Sequence, residues 1–357
     1  MIILRTVKNI SSLNIAASVL LFLAAILAAV VANSSLSPVY QDFLLQELHL
    51  RIGNFNLFSH GGHPLKMIEF INDCLMTVFF LAVGLEIKRE LLVGELSSVR
   101  KAALPFIAAC GGMVVPVVIY ALSVASGTPE TRGMAIPMAT DIAFSLGVLS
   151  LLGKRVPLSL KIFLTAFAVV DDIGGILVIA LFYSADVAYG YLIAAAVLYV
   201  FLYYMGKFGV TQKIFFLFFG VIIWYLFLQS GIHSTISGVI LAFVIPARPR
   251  LDAGKYIERI RDIIGEFPVS KSDNIVLTNA QIATLKQVER ASDYVISPLQ
   301  SLEDNLHGVV SFVILPLFAF ANAGVVFSGS GSIVGDVSIA VAAGLLLGKF
   351  LGIYLFT

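Results

Sequence analysis

The chain has 357 residues, of which 59% are hydrophobic and only 13% charged, and its formal net charge is +1. Soluble domains carry about 25% charged residues, so this composition excludes an ordinary soluble protein and indicates a chain embedded in a lipid bilayer. The near-zero net charge also argues against a nucleic-acid partner.

Apolar runs long enough to cross a bilayer follow one another along the chain. A bilayer core of about 30 Å needs about 20 helical residues. The sequence therefore predicts an all-α polytopic membrane protein with about ten transmembrane helices, at 13–33, 67–85, 102–125, 133–152, 158–183, 188–206, 214–230, 231–246, 306–327 and 335–357. Residues 1–357 then form one integral membrane domain, with an external segment at 34–66 and a cytoplasmic loop at 247–305.

The distribution of basic residues predicts the side of the membrane on which each loop lies. With the N-terminus inside, the outer side carries only Arg51, Lys66 and Arg132. Cytoplasmic loops are enriched in Lys and Arg, so this arrangement predicts a cytoplasmic N-terminus. Of the 23 Lys and Arg residues, Lys349 alone falls deep inside a predicted span, because Lys161 lies near the cytoplasmic end of the span 158–183.

Four ionisable residues lie deep in predicted spans: Asp141, Asp171, Asp172 and Lys349. Charges in hydrocarbon are costly, and each marks a candidate functional site. One carboxylate can pair with Lys349, which leaves two that must be protonated or bind a cation. A site that holds either a proton or a metal ion, but not both, is the minimum machinery for ion exchange. The structural alternative is a set of buried ion pairs that only orient helices.

A proline lies four residues before Asp141. Pro137 removes a helical hydrogen bond and clashes with the preceding turn, and at membrane depth such a break is tolerated only beside a cavity or under protein cover. With Thr140 adjacent to Asp141, the run predicts a discontinuous helix around Pro137–Asp141 that carries part of an ion site.

Several short segments give a more specific signal when they are taken together. They are Val83–Leu91, Ala135–Phe144, Leu160–Phe163, Asp171–Asp172, Ser230–His233, Leu315–Gly324 and Gly348–Lys349. In this order they resemble the NhaA family of bacterial sodium/proton antiporters. Transporters of that family are built from inverted repeats with broken helices, so the resemblance implies an inverted-repeat transporter fold.

The resemblance implies a role for each deep charge. Asp172 is expected to be the principal sodium ligand, and Asp171 beside it a proton carrier that is paired with Lys349. Asp141 and Thr140 are expected at the crossing of two broken helices, where they balance the half-helix dipoles and help to bind the ion. The implied activity is electrogenic extrusion of sodium, and of lithium, in exchange for external protons, activated at alkaline pH. It serves sodium and pH homeostasis, is not enzymatic and needs no cofactor.

The resemblance also implies a pH-sensing cluster at the cytoplasmic funnel. The residues that match it, with one further histidine that is a candidate sensor, are Glu86, Glu90, Glu303, His307 and His233. From the residues alone, Glu86 is equally well explained as an interfacial charge, and either histidine as a helix-end residue.

The family further implies a location in the bacterial inner membrane and a homodimer formed through segment 34–66. Its members have twelve spans, so a chain with ten is expected to lack the last two and to be either a fragment or a truncated homologue, active or inactive.

Two other function classes fit the composition less well. A sodium-coupled symporter of organic anions needs a basic cavity, and here the deep cation is Lys349, which is already expected to pair with an acid. An intramembrane aspartyl protease needs two aspartates that face each other from different helices, usually with a Gly-x-Gly-Asp segment that this sequence lacks.

Overall fold

The structure is a computed structural model that describes residues 2–53, 55–60, 63–124, 129–138, 156–182, 187–248, 253–265, 267, 278–327 and 335–357. Within these ranges most of the chain is α-helical. The helices are α1 Ile2–Ala32, α2 Ser37–Leu45, α3 Met67–Val93, α4 Val99–Ser123, α5 Leu158–Phe182, α6 Tyr189–Lys207, α7 Lys213–Ser230, α8 Thr235–Val244, α9 Ala253–Gly265, α10 Asn279–Val295, α11 Pro298–Asn322 and α12 Asp336–Phe356.

The predicted all-α membrane fold is confirmed. Six of the described helices, namely α3, α4, α6, α7, α11 and α12, are long and apolar enough to cross a membrane. The bent pair formed by Ala16–Ala32 and α2, which meet at 113°, raises this number to seven. The count of ten spans stays a prediction, because most of the run 133–152 lies outside the described residues.

Several helices differ in length from the runs that the sequence predicted. Helix α3 continues to Val93 instead of ending at residue 85, and α11 begins at Pro298 inside the predicted 247–305 loop. The early start of α11 has a local cause, because the Ser297 hydroxyl accepts the Gln300 N–H at 3.2 Å and Pro298 occupies the first turn. Helix α8 has only 10 residues.

The external segment contains more structure than its mixed composition suggested. Helix α2 is followed by two short antiparallel hairpins, in which β1 Arg51–Ile52 pairs with β2 Phe55–Asn56 and β3 Ser59–His60 pairs with β4 His63–Pro64. The segment between α1 and α3 therefore consists of a short helix and a pair of hairpins that lead into α3.

Helix α4 lies between α5 and α12 and brings them close together. Its contact with α12 depends on glycines four residues apart, Gly344, Gly348 and Gly352. A Cβ atom on Gly348 would lie 2.7 Å from the Cα of Pro116 in α4, so only glycine permits this approach. Towards α5, Met113 of α4 fills the space that a side chain at Gly174 of α5 would need.

Helices α3 and α8 form a second tightly packed pair. A Cβ atom on Gly84 would lie 2.8 Å from the Cβ of Ala242, and one on Gly238 would meet the backbone of Thr77 and Leu81. This pair extends the core that surrounds α5, because Val83 and Ile87 of α3 pack against buried residues of that helix.

Candidate functional site

Helix α5 carries its acid pair in the most enclosed part of the bundle. Residues 166–171 are all buried, although an ordinary helix at a protein surface would show a buried stripe only. Asp171 is the last residue of this run and is 3% exposed. An ionisable group in such a position needs a charged partner or a bound ion.

Lys349 of α12 provides that partner for Asp171. Its Nζ atom donates to Asp171 Oδ2 at 2.7 Å, within the normal range of a charge-assisted hydrogen bond. The two side chains are 12% and 1% exposed, so the ion pair is largely shielded from solvent. Lys349 follows directly after Gly348 and after the wide π-helical turn Gly344–Gly348, which lets α12 approach α4 and direct the lysine towards α5.

Asp172 is half-buried and lies one position further along α5, so its side chain projects about 100° away from that of Asp171. The two carboxylates therefore face different surroundings, although they belong to adjacent residues of α5. Carboxylate oxygens are suitable ligands for a hard cation such as sodium. Thr140 and Asp141, the other predicted members of this site, lie outside the described residues.

Three of the predicted sensing residues meet near the C-terminal end of α3, around an arginine that was not among the predicted site residues. Arg89 Nε donates to Glu303 Oε1 at 2.9 Å, and Arg89 Nη1 lies 3.1 Å from Glu90 Oε1. Glu86, one turn before Glu90, is half-buried. The structure thus joins α3 and α11 through one guanidinium and the carboxylates around it.

The two predicted histidines do not join this cluster through any contact that the described residues show. His307 is exposed and lies in the interior of α11, one turn after Glu303, and does not begin a span. His233 is exposed and precedes α8. It lines a cavity of about 640 Å³ at the opposite end of α3, together with His60, His63 and Asp73.

Asp73, which lines this cavity, accepts hydrogen bonds from two neighbouring side chains. The Ser234 hydroxyl donates to both the backbone oxygen and Oδ1 of Asp73 at 3.2 Å, and Trp224 Nε1 donates to the same backbone oxygen at 3.2 Å. Within the described part of the chain, no group of three or more His, Cys, Asp or Glu side chains is arranged to hold a metal ion.

Two further polar contacts were missed by sequence reasoning. The Lys88 ammonium donates to the carbonyl oxygens of Phe243 at 2.7 Å, Ala242 at 3.3 Å and Ile245, and so caps the C-terminal end of α8. Asn72 and Asn322 exchange amide hydrogen bonds at 2.8 and 3.2 Å. The available signal was the presence of two asparagines inside apolar runs, where polar groups need partners, whereas Lys88 lies beyond the predicted run 67–85.

Known proteins are similar to this chain over nearly its whole length. Residues 8–357 match the model of the family described as Na+/H+ antiporter 1. The Na(+)/H(+) antiporter NhaA of Bacteroides thetaiotaomicron is 76% identical over 357 residues, which cover 100% of this chain and 81% of that protein. The protein of the same name from Phocaeicola vulgatus is 61% identical over 93% of this chain and 75% of its own length. A third, from Porphyromonas gingivalis, is 47% identical over 99% of this chain and 79% of its own length. The chain belongs to the Na+/H+ antiporter 1 family.

Proposed function

We propose that this chain exchanges sodium ions for protons across the membrane, and that Asp171, Asp172 and Lys349 carry the exchange. The observation that supports it most directly is the 2.7 Å ion pair between Asp171 and Lys349, with half-buried Asp172 beside it in a bundle of apolar helices. The identity of the two ions is inferred from membership of a Na+/H+ antiporter family.

The proposed mechanism is competition between two cargoes for one set of carboxylates. Sodium binds the ionised carboxylate of Asp172, and the protons that this set of groups carries leave when sodium arrives. Lys349 holds Asp171 ionised in one state and releases it for protonation in the other, because an ion pair this shielded from water is strong only while both members are charged. Thr140 and Asp141 complete the proposed sodium site.

The proposed cycle is electrogenic, accepts lithium as well as sodium, and is activated at alkaline pH. Activation is assigned to the cluster of Glu86, Glu90 and Glu303, with His307 and His233 as further sensors. Carboxylates that share one arginine respond together to protonation, which supports a cooperative switch at this end of α3. The proposed role is transport without a cofactor or enzymatic step.

Transport in everted membrane vesicles tests this proposal. An acid interior is imposed, sodium is added at mildly alkaline pH, and a pH-sensitive dye follows the gradient. Sodium, but not potassium, is expected to collapse the gradient, and Asp172→Asn is expected to abolish the response. The matched control is Asp336→Asn, which removes an exposed carboxylate from the first turn of α12. Retention of the response by Asp172→Asn would exclude the assigned site.

We also propose a bacterial inner-membrane location with the N-terminus in the cytoplasm, which the distribution of basic residues supports. The test uses a background in which Cys74 and Cys110 are replaced by serine. Leu50 and Val93 are 48% and 76% exposed. A membrane-impermeant maleimide added to intact cells is expected to label Leu50→Cys and to label Val93→Cys only after permeabilisation.

A homodimer through the external segment 34–66 is proposed on the same basis. The hairpins in this segment offer strand edges to which a second copy can pair. Replacement of residues 51–60 by a flexible linker is expected to convert a dimer in mild detergent into a monomer, as measured by mass photometry.

A further inference from the structure

The chain between α8 and α11 carries two amphipathic helices that the ion-exchange site does not use. Helices α9 and α10 contact each other and have 13 and 17 residues. Ile260 and Ile263 of α9 are half-buried, so the contact between the helices covers part of the apolar face of α9. The remainder of that apolar face is not covered by the contact between α9 and α10.

Each helix leaves large aliphatic side chains exposed on one side. Ile257 and Ile264 of α9 are 57% and 59% exposed, and they lie seven positions apart, which places them on the same face of a helix. In α10, Ile282 and Leu285 are 37% and 46% exposed and lie three positions apart, again on a common face. Isolated exposed aliphatic residues are ordinary, but a repeat at helical spacing in both helices indicates a surface with an apolar partner.

Chain connectivity limits what that partner is. Only Ile296 and Ser297 separate α10 from α11, which crosses the membrane. Three extended residues reach at most about 11 Å, so the end of α10 lies close to the first residue of a spanning helix. Ile296 in this connection is itself 44% exposed, and Val309 and Val313 further along α11 are each 49% exposed.

The charges of the two helices distinguish between apolar and electrostatic attachment. The sequence of α9 contains three basic residues against two acidic ones, and that of α10 contains two of each. A net charge this small gives little attraction to anionic headgroups. Attachment to a membrane surface would therefore depend on the aliphatic face.

We propose that the face of α9 and α10 that carries Ile257, Ile264, Ile282 and Leu285 lies in the headgroup region of the bilayer. The two helices then lie side by side as an interfacial hairpin, with its charged face towards water. This inference depends on the membrane embedding of the chain and does not depend on the proposed exchange of sodium for protons.

Collision accessibility of spin labels in the full-length chain tests this inference. In the background without Cys74 and Cys110, nitroxides are attached at positions 257 and 264, and the matched labels are attached at the exposed polar positions Glu258 and Asp262. The protein is reconstituted in vesicles of phosphatidylcholine and phosphatidylglycerol. We expect oxygen to exceed a water-soluble nickel complex in collision rate at 257 and 264 by several-fold, with the reverse at 258 and 262.

Two further measurements make the outcome specific. High salt is expected to leave the accessibility at 257 unchanged, because the apolar face and not charge holds the hairpin. Ile264→Glu is expected to raise the nickel accessibility of the label at 257, and the same measurements in Asp172→Asn are expected to give unchanged values, so a failure of the proposed transport function leaves this test intact.

Three results would overturn the inference. Equal nickel accessibility at 257 and 258 would show that the hairpin stands in water and leaves its apolar face open to a soluble partner. Protection from both oxygen and nickel that disappears when the protein is diluted into more lipid would assign the face to a second copy of the chain. Release of the hairpin by salt would show that charge holds it.

Discussion

Lys349 and Asp171 meet at 2.7 Å, and the helices that carry them, α12 and α5, both pack against α4. The ion pair therefore depends on how closely α12 and α5 each approach the helix between them. Glycines supply that approach on both sides, Gly348 on α12 and Gly174 on α5. The same pair is the structural basis of the proposed exchange, because it couples a charge on α12 to the acid pair on α5.

Removal of one member of the pair is expected to destabilise the protein more than removal of both. Lys349→Met leaves Asp171 buried without its cation, which costs about 3–5 kcal/mol for a buried pair that loses one partner. The combined variant Asp171→Asn/Lys349→Met is expected to recover much of this loss. Unfolding in mixed micelles by denaturing detergent measures the free energy of each variant, and a double variant as unstable as the sum of the single ones would contradict the ion pair.

A side chain at Gly348 is expected to separate α12 from α4. The added Cβ of Gly348→Ala would lie 2.7 Å from the Cα of Pro116, and such overpacking typically costs about 1–3 kcal/mol. The control is Gly175→Ala, where a Cβ meets no other element of the described residues within 4 Å and the higher helix propensity of alanine favours folding. Equal midpoints of thermal unfolding for the two variants would show that the close approach is unimportant.

Lys88 is expected to stabilise the α3–α8 pair through the end of α8. Lys88→Met leaves several carbonyl oxygens without their charged donor, and the loss of a hydrogen bond from a charged group costs about 1.5–3 kcal/mol. Lys101→Met is the control, because Lys101 is exposed and lies 3.8 Å from Glu95, and exposed pairs contribute about 0–1 kcal/mol. Thermal unfolding in detergent compares the two, and a similar small effect for both would refute the proposed capping role.

The arginine between the two carboxylates is expected to make α3 and α11 energetically dependent on each other. A double-mutant cycle of Arg89→Gln with Glu303→Gln is expected to show a coupling energy of about 0.5–3 kcal/mol in stability. The same cycle with His307→Gln, an exposed residue one turn later on α11, is expected to be additive. Additivity in the first cycle would mean that the 2.9 Å contact between Arg89 and Glu303 contributes no coupling energy to stability.

The sequence predicted the class of fold and the buried charges well, for a physical reason. Charged residues in apolar spans are so costly that Asp171, Asp172 and Lys349 stand out by type and depth alone. The expected pairing of one acid with Lys349 also required only a count of opposite charges. The choice of Asp171 came from the family resemblance, because adjacent acids on a helix are equivalent until the neighbouring helices are known.

Other features depend on contacts that no local pattern records. Lys88 and Arg89 both look like interfacial basic residues, yet Lys88 caps α8 and Arg89 bridges Glu90 and Glu303. The start of α11 at Pro298 was missed because hydropathy falls at its polar first turns, whereas the Ser297 cap and Pro298 begin the helix there. The cavity that His233 lines could not be predicted from the sequence, because His60 and His63 on its wall come from a hairpin that is distant along the chain.

The most direct test of the account is whether sodium binding releases protons from the purified protein. Sodium is added to the protein in weakly buffered detergent solution at mildly alkaline pH, and proton release is followed with a pH indicator. The account predicts saturable release on addition of sodium, no release on addition of potassium, and loss of the sodium response in Asp172→Asn but not in Asp336→Asn. Sodium binding without proton release, or an unchanged response in Asp172→Asn, would contradict competition at the acid pair of α5.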